Sequence, residues 1–292
     1  MRAAAVNFPD VLIVANQYQI SIPTPFVPGS EYAGVVTAVA DDVSGFAVGD
    51  RVFGTGIVGA FAEELVGPAG SVTRTADGVD DAHAAAFGVA HRTAYHVLRS
   101  TAHVQPGDEV IVLGAGGGVG LAAVQLAVAL GARVTAVAST PEKLAVAKEQ
   151  GATRLVEHRA GPLRDALKTA LPGGADVVVD PVGGELSEPA LRALHYGGRF
   201  VSVGYASGVI PRIPLNLVLL KGISIRGFEF LSFATHETAE IERNERELLE
   251  LLASHHAFPH IGARFALDAA AAALRYVADG RAVGKVVLDV NA

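Results

Sequence analysis

Along residues 108–140 the hydrophobic pattern changes character three times. Val110–Leu113 is a short, unbroken apolar run of strand length. The loop Gly114-Ala115-Gly116-Gly117-Gly118-Val119-Gly120 interrupts it, and an apolar stretch of helical length runs on to Leu130. A second strand-like run, Arg133–Ala138, closes the unit. Strand, glycine loop, helix and strand in this order predict a βαβ unit. The alternation continues with a helix over Pro141–Gln150, a strand at Arg154–Val156, a helix over Pro162–Ala170 and a strand at Asp176–Asp180. A helix over Leu186–Leu194 and strands at Arg199–Gly204 and Ile223–Gly227 complete it. Regular α/β alternation over residues 92–228 predicts a doubly wound parallel sheet of the Rossmann type.

The flanking zones read differently. Residues 1–91 carry short β-like runs punctuated by Gly and Pro, with strands predicted at Gly34–Ala40, Asp50–Phe53 and Ala62–Val66. The last zone opens with an amphipathic helix, Glu237–His255, whose Leu248, Leu249, Leu251 and Leu252 form an apolar stripe. A strand near Arg264–Leu267, an alanine-rich helix to Val277 and a strand at Lys285–Val290 follow. No internal repeat or disordered linker is visible.

The glycine loop is the first chemical feature. Glycines let the backbone turn tightly and approach a pyrophosphate, and the helix N-terminus behind them offers free N–H groups at the positive end of its dipole. Set between a strand and a helix, the fingerprint predicts a dinucleotide site. A site for NAD places Asp or Glu at the end of the second strand, against the ribose 2′-OH. Here no acidic residue lies between Glu109 and Glu142, and the strand runs out into Ser139-Thr140-Pro141-Glu142-Lys143. Two hydroxyls and an ammonium suit a 2′-phosphate, so the expected cofactor is NADPH. Thr140 before Pro141 also reads as an N-cap, and Ser139 with Glu142 as a capping box; both readings hold together.

Composition adds exclusions. The chain has 292 residues, half of them hydrophobic, and a net charge of −7. The apolar stretch near 121–138 is broken by Gln125 and Arg133, so no membrane span is expected. Asn7, Pro9 and Asp10 break any signal-peptide core. The acidic balance argues against a nucleic-acid partner. There is no cysteine, which removes disulfides and thiolate zinc sites and fits a reducing, cytoplasmic setting. Abundant Ala and an excess of Arg over Lys suggest a GC-rich bacterial genome.

Several segments carry a family resemblance: Ala5-Val6-Asn7-Phe8-Pro9-Asp10-Val11, Tyr18-Gln19, Pro28-Gly29-Ser30-Glu31-Tyr32-Ala33-Gly34 and Gly59-Ala60-Phe61-Ala62-Glu63. Arg92-Thr93-Ala94-Tyr95, the glycine loop, Asp180-Pro181-Val182-Gly183-Gly184 and Gly284-Lys285-Val286-Val287 continue it in order. The chain resembles the zinc-independent medium-chain dehydrogenase/reductases of the quinone oxidoreductase branch, related to zeta-crystallin. The resemblance implies a GroES-like β-domain from residues 1–91 and 229–292, with the Rossmann domain inserted as 92–228. It also implies a homodimer joined through the Rossmann edge strand near Ile223–Gly227. Zinc-dependent relatives hold their catalytic metal with Cys and His; here Asn7 stands in the region of the first ligand and Ser30 replaces the His before Glu31. The ten histidines show no trustworthy ligand spacing, His255, His256 and His260 falling at a helix end, so no metal is expected.

The same resemblance assigns contacts. Asn7 and Tyr18 match substrate-pocket positions, where their amide and phenol would stabilise charge on a carbonyl oxygen as hydride arrives. Without a ligand, Asn7 reads as a turn residue before Pro9 and Tyr18 as a half-buried aromatic. Gly114, Gly117, Gly118, Val119 and Gly120 would cradle the pyrophosphate, Ser139 and Lys143 the ribose phosphate, and Thr93 and Lys285 the nicotinamide side. His158, followed by Arg159, stands where the family often has a Tyr on the adenosine side; ring stacking and a plain surface pair both remain open. Gly204 and Tyr205 fit the rule that ligands bind beyond carboxyl strand ends. The family's opening strands precede the Ala-Val-Asn-Phe segment, so the β-domain is expected to lack them. A natural loss would expose a sheet edge, which favours a shortened start. The implied activity is metal-free, NADPH-dependent reduction of a small quinone, enone or enoyl thioester. An NADPH-binding sensor or crystallin-like protein with little turnover, and an enoyl-CoA reductase, are the alternatives.

Overall fold

The computed structural model describes residues 1–254 and 256–290. The chain divides into two compact units, Met1–Ala90 with Leu252–Ala292, and His91–Leu251. The segment 229–251, grouped above with the β-domain, thus belongs by its contacts to the second unit. No helix among the described residues is long and apolar enough to cross a membrane.

The first unit opens with β1 (Ala3–Val6), wholly buried, and passes at once into α1 (Phe8–Val14). Pro9 occupies the first helical turn, where its missing N–H costs nothing, and Asp10 reaches back to accept the Asn7 N–H at 2.7 Å. β2 (Glu31–Val35), β3 (Arg51–Thr55) and β4 (Val72–Arg74) form an antiparallel meander. α2 (Asp81–Phe87) is capped by Asp80, which accepts the His83 N–H.

α3 (Ala90–His96) leads through a π-helical turn, Val97–Thr101, into the second unit's sheet. Its elements are β5 (Glu109–Leu113), α4 (Gly118–Ala129), β6 (Arg133–Ala138), α5 (Pro141–Glu149), β7 (Arg154–Glu157), α6 (Leu163–Ala170) and β8 (Ala175–Asp180). α7 (Ser187–Arg192), β9 (Leu194–Ser202), α8 (Leu215–Lys221), β10 (Ser224–Gly227), α9 (Phe230–His236) and α10 (Thr238–Ala253) follow. The sheet order is β10-β9-β8-β5-β6-β7, every pair parallel. Strand order therefore reverses beside β5, and a doubly wound sheet opens its ligand crevice at such a point. Ile111, Leu113, Val178, Leu167, Leu191 and Phe200 anchor the core. α4 carries buried apolar residues around most of its surface, as a helix enclosed in a core must.

β11 (Ile261–Ala266), α11 (Ala270–Ala278) and β12 (Lys285–Asp289) return to the first unit, whose sheet order is β11-β12-β1-β2-β3-β4. β1 lies between β12 and β2, antiparallel to both; Val6 pairs with Val286 and Ala5 with Glu31. This register brings Asn7 and Lys285 out at the same end of the sheet.

Three expected elements change. The strand predicted at Gly34–Ala40 ends at Val35, because its partner β3 begins at Arg51 and the ladder stops there. Ala62–Val66 forms no strand; it finds no partner ladder, and Val66 stands fully open to solvent. The helix predicted to Leu194 ends at Arg192, and β9 begins at Leu194, earlier than Arg199. Leu194 already pairs with Ala175, and the irregularity before the Val177–Arg199 pair accommodates the extra residues. Helices α1 and α2 in the first unit were hidden by the dense Gly and Pro punctuation around them.

Candidate functional site

In the second unit, β5 ends in the glycine loop at the point where strand order reverses. Gly114 adopts φ +61°, and a Cβ there would stand 2.6 Å from Val182 Cγ2. A Cβ on Gly120 would run into the Gly114 carbonyl oxygen, so the first helical turn packs directly on the loop. The Ala115 N–H bonds Val137 O at 3.0 Å and the Gly117 N–H bonds Gly114 O at 3.0 Å, pinning the loop from inside. Gly117 is the N-cap and brings no side chain to the helix end. The N–H groups of Gly118, Val119 and Gly120 have no acceptor within α4 and gather at the positive end of its dipole. This is a cradle for an anion on a backbone that tolerates no bulk.

Beyond β6, Thr140 caps α5 by accepting the Lys143 N–H at 3.3 Å, and Pro141 fills the first turn. Ser139 and Lys143 are half-buried. The Lys143 stem lies across Gly116: a Cβ on that glycine would meet Lys143 Cβ, with Cγ at 2.6 Å and Cδ at 2.8 Å. Burial and then the Arg159 charge hold the Lys143 ammonium below its ordinary pKa, with Glu142 acting the other way. The same two causes push His158 down against the opposing Glu157 charge, and Lys143 adds to the effect. Lys143, His158 and Arg159 therefore lie close together beyond the ends of β6 and β7, with Glu142 and Glu157 as the carboxylates acting on them.

At the end of β8, the Asp180 carboxylate accepts the N–H groups of Val182 at 2.9 Å and Gly183 at 2.8 Å, and the Ser187 hydroxyl at 2.6 Å. Asp180 thus builds the turn against which Gly114 packs, a role carried in the sequence by Asp180-Pro181-Val182-Gly183-Gly184. Gly183, at φ +71°, lies under the Tyr205 ring, and the Tyr205 hydroxyl meets Ser202 Oγ at 3.3 Å. Gly204 follows β9, bonded to Asp180 O at 3.4 Å. Thr93 is half-buried on α3.

The first unit holds a buried polar cluster. The Lys285 ammonium, 4% exposed, donates to Asn7 Oδ1 at 2.6 Å and Glu31 Oε2 at 2.8 Å. Asn7 Nδ2 donates to the same Glu31 oxygen at 3.0 Å, and Glu31 Oε1 accepts the Val89 N–H at 2.7 Å. These bonds fix the amide's orientation, since only its oxygen can face an ammonium and only its nitrogen a carboxylate. The second Asn7 N–H has only longer approaches, to Ala5 O at 3.4 Å and Ser30 Oγ at 3.5 Å. Asp10 completes the group: its Oδ1 is buried without a hydrogen-bond partner, and burial pushes its pKa up to about 6. Asp10, Ser30 and Glu31 were not among the residues singled out by sequence; the signal was their place in the Asn7–Asp10 and Ser30-Glu31 segments. Tyr18 sits half-buried in the loop after α1.

Of the histidines, His256 Nδ1 meets Ser254 Oγ at 2.9 Å, His83 Nδ1 meets Asp80 Oδ2 at 2.7 Å, and His96 lies between Asn244 and Glu245. His255 lies outside the described residues.

Residues 1–77 match the family described as alcohol dehydrogenase GroES-like domain, and residues 118–254 match the zinc-binding dehydrogenase family. The quinone oxidoreductase-like protein 2 of Bos taurus is 36% identical over 288 residues, covering 98% of this chain and 82% of that protein. The quinone oxidoreductase of Thermus thermophilus, solved alone and with NADPH, has a TM-score of 0.86 at 34% identity, over 99% of this chain and 89% of that one. The Escherichia coli quinone oxidoreductase complexed with NADPH has a TM-score of 0.88 at 28% identity, over 99% of this chain and 90% of that one. The chain belongs to the quinone oxidoreductase branch of the medium-chain dehydrogenase/reductase family. It is an enzyme of that family.

The zinc named in one family description does not fit this donor set. The chain has no cysteine, and the cation among Asn7, Glu31 and their neighbours is the Lys285 ammonium. Among the described residues, no three His, Cys, Asp or Glu side chains are grouped to hold a metal ion.

Proposed function

We propose that the chain is an NADPH-dependent reductase of quinones and related α,β-unsaturated carbonyl compounds, acting without a metal and as a homodimer. The corner formed by Lys143, His158 and Arg159, with no carboxylate at the end of β6, carries the choice of NADPH. Lys143 and Arg159, cations that disfavour one another, gain from an incoming 2′-phosphate dianion, which offsets their repulsion. Ser139 adds a hydroxyl beside them. The Gly114–Gly120 loop and the free amides of Gly118, Val119 and Gly120 take the pyrophosphate, while Thr93, Gly204 and Tyr205 contact the nicotinamide half. Bound there, the dinucleotide supplies a hydride.

Asn7 and Tyr18 offer hydrogen bonds to the substrate carbonyl oxygen. One Asn7 N–H is held by Glu31, and the other, with only long approaches to protein oxygens, is available to a stronger acceptor. Lys285 acts through Asn7, since its ammonium holds the amide oxygen and sets the direction of the N–H groups. The homodimer rests on the β10 edge: all four residues of β10 are exposed, and α8 bears exposed Leu215, Leu219 and Leu220.

Initial rates with NADPH and NADH against a quinone, an enone and an enoyl-CoA thioester test the proposal. NADPH-selective oxidation with the quinone or enone is the expected result. A preference for NADH refutes the cofactor assignment, turnover restricted to the thioester refutes the substrate, and binding without turnover on any of the three refutes the activity.

A further inference from the structure

We infer that Gly116 is a specificity-determining residue for the cofactor, acting through Lys143: its missing side chain is the slot along which the Lys143 stem is laid, and this aims the ammonium at the cofactor's 2′-phosphate. The inference rests on the NADPH reading and deepens it. Gly116 is buried, and three successive Lys143 carbons, Cβ to Cδ, lie where its Cβ would be. Cβ is the near end of the side chain and moves only with the α5 backbone, so an added methyl group shifts the root of the stem with that backbone and re-aims everything beyond it. Gly116 has no positive φ, unlike Gly114, so its glycine is explained by the stem and not by backbone strain. It also differs from Gly120, whose Cβ would strike the loop's own carbonyl. α5 starts where it does because Thr140 caps it through the Lys143 N–H, which fixes the root of the same stem. Cap and slot together hold a long, rotamer-rich side chain in one direction, lowering the entropy lost when it binds phosphate. The repulsion from Arg159 adds a reason for rigid guidance, since a free stem would carry the ammonium away from it.

The test is binding, read by nicotinamide fluorescence and by displacement with 2′,5′-ADP and AMP, for wild type, Gly116→Ala, Lys143→Ala, Lys143→Gly and the double variant Gly116→Ala/Lys143→Gly. Gly116→Ala is expected to lower the preference for NADPH over NADH, and for 2′,5′-ADP over AMP, by about tenfold, the loss of roughly one charge-assisted hydrogen bond. NADH affinity should stay within about twofold, below the energy of one such bond. Adding Gly116→Ala to Lys143→Gly should change nothing further, because both the stem and the Cβ that the new methyl group would strike are gone. Equal weakening of both cofactors, or an unchanged preference, overturns the inference. If Gly116→Ala alone fails to fold, rescue by the double variant supports the stem contact and failure of the double overturns it. A wild type without NADPH preference, unaffected by Lys143→Ala, marks failure of the cofactor reading itself.

Discussion

Replacing Asp10 by Asn should abolish one identifiable part of the protein's pH-dependent stability. The carboxyl is 1% exposed, and burial lifts its pKa from 3.8 to about 6. Four neighbours act on it from other parts of the cluster: the Asn7 N–H, Ser30 and Lys285 favour the charged form, and Glu31 opposes it. Burial outweighs the three favourable neighbours together. Because the folded pKa is raised, the folded state holds this proton more tightly than the unfolded chain. The associated stability is fully present below about pH 4 and lost as pH rises through about pH 6. A shift of roughly two units corresponds to about 3 kcal/mol. Asn keeps an oxygen for the Asn7 N–H but cannot ionise, so the variant lacks this decline. Urea unfolding of both proteins between about pH 4.5 and pH 7.5 isolates the term, because other titrating groups cancel in the difference. The variant should gain on wild type by about 2 kcal/mol between about pH 4.5 and about pH 6, and the difference should then level off to about pH 7.5. A difference independent of pH would refute the reasoning.

Asn7→Ala and Tyr18→Phe should each lower kcat/KM by more than about threefold, with NADPH binding unchanged by fluorescence titration. Lys285→Met leaves Glu31 charged and buried without its cation and should cost about 3–5 kcal/mol of stability in thermal or urea unfolding. Pairing it with Glu31→Gln should recover part of that loss, since the uncompensated charge is then removed. Gly120→Ala drives a methyl group onto the Gly114 carbonyl oxygen and should abolish cofactor binding, as measured by the same fluorescence titration.

What the sequence disclosed follows the range of the interactions concerned. β5, the glycine loop, α4 and β6 are neighbours in the chain, and their periods and glycines encode the unit locally; β6 matches its predicted bounds and β5 nearly so. The N-cap at Thr140 was equally legible, because a cap and its target N–H lie three residues apart. The Asn7–Lys285–Glu31 cluster joins residues separated by up to 278 positions. It depends on β1 pairing with β12 on one side and β2 on the other, and no local pattern states that register. The Gly116–Lys143 contact fell between these cases: both residues were visible, but that Gly116 faces the Lys143 stem while Gly117 and Gly120 face the Gly114 carbonyl is a fact of packing.

Buried Lys285 and half-buried Lys143 show why burial alone does not identify a ligand site. Lys285 is the more enclosed, yet its ammonium is bonded at 2.6 and 2.8 Å to an amide oxygen and a carboxylate that belong to the protein. Its charge is balanced internally, so an arriving anion would have to compete with Glu31 for it, and its effect is to orient Asn7. Lys143 is less buried, and the strongest charge acting on it comes from Arg159, which repels it and outweighs the attraction of Glu142. Its stem is laid along Gly116 and its root is held at the Thr140 cap, so packing fixes its direction. A side chain whose direction is fixed by packing loses less entropy on meeting an anion than one that must be ordered at that moment. The 2′-phosphate contact proposed for Lys143 therefore rests on its packed stem beside Arg159, whereas Lys285, bonded to Asn7 and Glu31, orients the amide.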